Sequence, residues 1–132
     1  MLNSKTAILK SHKNGIGIIC LRRDGILTFV PDKNTKNTSI KILIEDLAIF
    51  TEWTKLTGPI PFLIDSRNFK QLSTEERIYI QKNLPIFASK YGVIVKDGLS
   101  SFFYNLIAHL NQPEIPMKAF SDIDGAFKWL KE

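Results

Sequence analysis

Apolar and polar positions change their period several times along the chain, and each change marks an element. Residues Gly17 to Arg22 form a β-branched apolar run, Arg23-Asp24-Gly25 offers a turn with a glycine free to take positive φ, and Ile26 to Val30 is a second run ended by Pro31. This predicts an antiparallel hairpin, with residues 5 to 10 as a weak edge strand before it. A polar loop, Asp32 to Asn37, leads to a helix capped by Thr38 or Ser39 and running to about Thr57, where Gly58-Pro59 stops it. Pro61 to Asp65 is a short, almost wholly apolar strand of the kind buried on both faces of a sheet.

Ser73 and Glu76 make an S-x-x-E capping box at the start of the next helix, which Pro85 should interrupt because it has no N–H to give. Tyr91 to Lys96 reads as a strand. Gly98 to Leu110 reads as a helix, with Leu99, Phe102, Phe103, Leu106, Ile107 and Leu110 in one stripe. Met117 to Phe120 is a short strand, and Ser121 caps a last helix over Asp122 to Lys131, acidic at its start and basic near its end. Strands alternating with helices predict one α/β domain over residues 1–132, with a mixed, mostly parallel sheet begun by an antiparallel hairpin and about four helices.

Two helices carry further expectations. In the helix after Ser39, the residues Ile40, Leu43, Ile44, Leu47, Ala48 and Phe50 gather on one side, expected to pack on the sheet. Ile42, Ile49, Trp53 and Leu56 form a second stripe on the opposite side, bordered by Lys41, Glu45 and Glu52 and by Asp46. Such a stripe needs a cover: a second copy across a two-fold axis, with Trp53 as its central anchor, or residues 1 to 12 or the neighbouring helix. In the last helix, Trp129 shares a stripe with Ile123, Phe127 and Leu130 and is expected to anchor it to the sheet.

Composition narrows the class. With 132 residues, 44% apolar and 23% charged, the chain has the balance of an ordinary globular domain able to bury a core without disulfides or metal. Its one cysteine, Cys20, lies among Ile18, Ile19 and Leu21 and reads as a core side chain. The net charge of +5 invites a nucleic-acid reading, but the basic residues are scattered from Lys5 to Lys131, so nucleic acid is not an expected partner. Residues 1 to 6 lack the apolar stretch of a signal peptide and no run approaches a membrane span, so a cytoplasmic protein is expected.

Candidate chemistry is sparse. His12 and His109 stand apart from any cysteine at ligand spacing, and Gly15-Ile16-Gly17 lacks the third glycine of a dinucleotide fingerprint, so neither metal nor cofactor is expected. Ser100-Ser101 lies near His109 without G-x-S-x-G, and the serines read as helix caps; no enzymatic activity is expected. Asp65-Ser66-Arg67 is the most suggestive group, at the C-terminal end of a buried strand where open α/β sheets place ligands; a strand-end Asp making turn hydrogen bonds, with Arg67 solvated, is the favoured explanation. Ser73 and Thr74 are explained as helix-start residues, although a hydroxyl there can also accept a phosphate.

The order hairpin, helix, strand, helix, strand, helix, strand, helix resembles the STAS-like (SpoIIAA-like) family. The ending Phe120-Ser121-Asp122 followed by Ala126-Phe127-Lys128-Trp129-Leu130 is similar to that branch's F-x-[DE]…A-x-x-W-L finish, and Arg23-Asp24-Gly25-Ile26 and Phe62-Leu63-Ile64-Asp65 fit it as well. The resemblance implies a non-catalytic regulatory module acting on a protein partner and forming a homodimer. It leaves open a binder of a small apolar or lipid-like ligand, to which the nine phenylalanines would suit. It also leaves open a phosphorylation-switched anti-sigma-factor antagonist. In those antagonists the phosphorylated Ser or Thr follows an Asp at the start of the second helix. Thr74 falls at about that place, but Ser73 stands where they carry Asp, and Glu75-Glu76 set two carboxylates beside the would-be phosphate.

Overall fold

Turn chemistry and strand-length apolar runs put three antiparallel strands at the start of the chain. The computed structural model describes residues 7–33, 39–67, 73–98, 100 and 114–132. Strands β1 (Ile8–Lys13), β2 (Gly17–Arg22) and β3 (Leu27–Pro31) precede helix α1 (Ile40–Trp53) and strand β4 (Ile60–Asp65). Helix α2 (Thr74–Asn83), a 3-10 turn at Leu84–Ile86, strand β5 (Ala88–Ile94), strand β6 (Met117–Phe120) and helix α3 (Ile123–Leu130) follow. The six strands form one mixed sheet in the order β1-β2-β3-β4-β5-β6, its first two pairings antiparallel and the next three parallel. The predicted helix over 98–110 lies outside the described residues, among which there are three α-helices.

Local signals act as read at several points. Gly25 takes φ 80° in the β2–β3 turn, and Ser39 caps α1 by accepting from the backbone N–H of Ile42. The capping box closes at α2, where Ser73 Oγ accepts from Glu76 N at 3.1 Å and Glu76 Oε1 accepts from Ser73 N at 2.9 Å. Pro85 ends α2 in the 3-10 turn.

Other boundaries move. The edge strand expected over 5–10, of which 5 and 6 lie outside the described residues, runs over Ile8–Lys13, paired with β2 from Ile8↔Arg22 to Lys13↔Ile18, so the hairpin is a three-stranded meander. Its side chains are mostly exposed, and backbone pairing, which leaves no trace in an apolar pattern, sets its limits. Helix α1 stops at Trp53, where Thr54 Oγ1 donates back to the Phe50 carbonyl at 2.8 Å. Strand β5 begins at Ala88, against Ile60 of β4, and ends before Val95. Asp122, not Ser121, caps α3, accepting from Gly125 N at 2.7 Å.

Helices α1 and α3 cover opposite faces of the sheet. Ile19, Leu21, Leu27, Phe29 and Phe62 form the core under α1, continued by Leu84 and Phe87 after α2. On the other face Ile26, Leu63 and Ile94 pack against Ala126 and Leu130 of α3. Gly92 lets α3 come close: a Cβ there would lie 3.1 Å from Leu63 Cδ1 and 3.6 Å from Leu130. Trp129, the expected anchor of α3, is half-buried on the flank, tilted against Phe120 and under Lys90 Nζ, and the fully buried anchors are Leu130 and Ala126.

The buried face of α1 joins parts of both expected stripes: Leu47 and Phe50, expected on the sheet, do pack there. Ile42, Ile49 and Trp53, assigned above to a partner-facing side, pack on the core, while Ile44 is 50% exposed. Leu56 lies beyond the helix in the following turn and is 96% exposed. The cause is polar residues inside the buried face. At about 100° per residue, Asp46 sits between Ile42, Ile49, Phe50 and Trp53, and both Asp46 and Thr54 are buried.

Candidate functional site: a cavity under the second helix

Helix α2 buries none of its own residues, and Ile78 on it is 58% exposed. Its side chains therefore do not fill the space above the sheet, and a cavity of about 400 Å³ remains between α1, α2 and strands β3 to β6. Its walls are mostly aromatic. Phe62 and Tyr91 stack at 5.5 Å on the sheet, Phe50 of α1 stacks on Phe87 at 4.7 Å, and Phe62 meets Phe50 and Phe87 edge-on at 5.3 and 5.5 Å. Polar groups among the lining residues include Asp46 of α1, Ser66 just past the C-terminal end of β4, and Arg77 of α2. Pockets of this size, apolar with a few placed polar groups, are the usual form of small-ligand sites.

Asp46 is the most unusual of these residues. It is 6% exposed, and its Oδ2 accepts a hydrogen bond from Asn14 Nδ2 at 2.7 Å. Asn14, itself buried in the β1–β2 turn, accepts from Ile16 N through Oδ1 at 3.0 Å, which fixes the direction of its amide. Asp46 Oδ1 has no hydrogen-bond partner. Burial pushes the carboxyl from its ordinary 3.8 up to about 6, against the opposing pull of the Asn14 hydrogen bond and of His12, while Glu45 adds to the rise.

The strand-end group is arranged differently. Asp65 is buried and bound by Arg67 through two side-chain hydrogen bonds, at 2.9 and 2.7 Å, and by the Arg67 backbone N–H at 3.2 Å. Burial raises its carboxyl, but Arg67 outweighs burial and holds it below the ordinary value. Ser66 Oγ donates to the Ile94 carbonyl at 2.7 Å while lining the cavity. Asp65 and Arg67 thus satisfy one another, and of the three only Ser66 reaches the cavity wall.

Ser73 and Thr74 are both exposed at the start of α2, Ser73 engaged in the capping box. Cys20 is fully buried, and burial pushes its thiol above the ordinary value. Among the described residues no group of His, Cys, Asp and Glu is placed to hold a metal ion, and no helix is long and apolar enough to cross a membrane.

Sequence reasoning missed Asp46, Asn14 and the ring cluster. The one available signal was a charged residue centred in a stripe of Ile42, Ile49, Phe50 and Trp53. The family described as Domain of unknown function (DUF7793) matches residues 19–132. No curated protein and no solved structure matches the chain.

Proposed function

The chain belongs to the DUF7793 family, and from that premise we propose a STAS-like, non-catalytic binding module whose cavity takes a small apolar or lipid-like ligand. The observation that carries this reading is the aromatic-walled cavity of about 400 Å³ left by the poorly seated α2. The element order from the antiparallel meander to α3 supports the STAS-like assignment. A role in binding fits the chemistry available: Cys20 is buried with a raised pKa, and the Asp65 carboxylate is occupied by Arg67. Native mass spectrometry of protein from its own host should show an added mass that organic extraction removes. A chain that is always empty, and that takes up no apolar dye, would refute the reading.

A second reading, the regulatory homodimer acting on a protein partner, is favoured by apolar side chains left outside the core: Ile44, Leu56, Ile78 and Ile86 are all at least half exposed. Light scattering on wild type and on an Ile44→Lys, Leu56→Glu variant tests it. A monomeric wild type, or a variant that still dimerises, removes it. The phosphoswitch reading remains attached to Thr74, exposed beside Glu75 and Glu76, and phosphopeptide mapping that finds stoichiometric phosphate there would promote it.

A further inference from the structure

Apolar walls accept any apolar group, so discrimination in this cavity must come from its polar side chains. Ser66 Oγ already donates to Ile94, and Arg77 is an exposed side chain on α2. Asp46 differs from both. It is more than nine-tenths buried, lines the cavity, has one carboxylate oxygen held by Asn14, and keeps the other without a partner. An unfilled acceptor on a desolvated carboxylate is costly, and a charged donor relieves that cost more than a neutral one.

We propose that the cavity selects an amphiphilic primary amine, its ammonium group pairing with the Asp46 carboxylate and its apolar part lying on the rings of Phe50, Phe62 and Phe87. The inference rests on the ligand-binding reading given above and names its ligand class. The Asn14 amide holds Oδ2 in place, so the ligand meets a pre-oriented carboxylate. An anionic head group would face like charge at Asp46 and find its only cationic neighbour among the described cavity-lining residues in the exposed Arg77. Other charged or titratable groups near Asp46 are His12 of β1, which competes with the amine when protonated, and Glu45 of α1, which adds negative charge. Burial raises the Asp46 carboxyl to about 6, so the site carries its charge at neutral pH and loses it on mild acidification.

Isothermal titration of the full chain with n-octylamine, octanol and octanoate, which share a tail and differ in the head, tests this at neutral pH. The amine should bind about tenfold or more tighter than the alcohol, as a hydrogen bond to a charged group implies. Asp46→Asn should bring amine and alcohol together, and in the wild type amine affinity should fall between pH 7 and 5 while alcohol affinity stays level. Equal binding of amine and alcohol, tightest binding of octanoate, or an Asp46→Asn variant that keeps the amine preference would each overturn the inference while leaving the cavity reading intact. Failure of all three probes to bind overturns both. If Asp46→Asn does not fold, the wild-type pH profile of amine against alcohol decides.

Discussion

Asp46 makes the stability of the empty protein depend on pH in a direction opposite to most paired carboxylates. Its carboxyl ionises near pH 6 in the folded chain and near its ordinary 3.8 when unfolded. Between those values the unfolded state releases a proton that the native state keeps. Stability is therefore fullest below about pH 4 as far as this group is concerned, declines as pH rises toward 6, and is level above. At about 1.4 kcal/mol per pKa unit, the loss amounts to at most about 3 kcal/mol. For a urea slope of about 2 kcal/mol per M, the midpoint falls by roughly 1 to 1.5 M between pH 4 and pH 7.

Asp46→Asn keeps the shape and the acceptor for Asn14 but removes the ionisation, so its profile over the same range should be nearly flat and its midpoint at pH 7 higher than wild type. The Asp46→Asn profile serves as the reference for every group other than Asp46. Below about pH 4, Asp24 and Asp65, whose carboxyls are held low, turn both curves downward. A wild-type midpoint that stays level from pH 4 to 7, or an equal decline in Asp46→Asn, would refute the reasoning.

Leu130→Ala should cost about 2 to 5 kcal/mol, since Leu130 is 2% exposed against Leu63 and Ile94, whereas Trp129→Ala on the flank should cost clearly less; chemical denaturation of the two variants ranks them. Gly17→Ala would set a Cβ against the carbonyl oxygen of Val30 and 2.7 Å from Pro31 Cα, so it should destabilise the β2–β3 pairing more than any surface glycine change. Gly98→Ala, in open space, serves as the control in the same melting experiment. Cys20 is 0% exposed with a raised pKa, so a thiol reagent should label the native chain only as fast as it unfolds, and rapid native labelling would contradict its burial.

The sheet was largely legible because its signals are local. The β-branched run at Gly17–Arg22, Gly25 in the turn, the Ser73–Glu76 box and the breaker at Pro85 each act through near neighbours, and β2 and β6 fall on their expected residues. The face of α1 was legible only in part, at Leu47 and Phe50, because Asp46 and Thr54 occupy buried positions that a pattern of apolar residues assigns to solvent. Each has a partner that periodicity cannot see: Asn14, distant in sequence, on Asp46 Oδ2, and the Phe50 carbonyl on Thr54. Nor could the cavity be foreseen. It arises from what α2 fails to bury, and its aromatic walls come from α1, β4, β5 and the turn at Phe87, which only tertiary structure brings together.

Every strand of the sheet lies beside the strand that precedes it in the sequence, from β1 to β6. No strand has to be inserted between two already joined, so each new strand can dock on the growing edge as soon as it is made. Such a sequence of additions keeps the loops to be closed short, which favours rapid folding, and it suits a chain that leaves the ribosome from its N-terminus. On this topology the meander β1–β3 is the template, and α3, arriving after β6, closes the opposite face over Gly92.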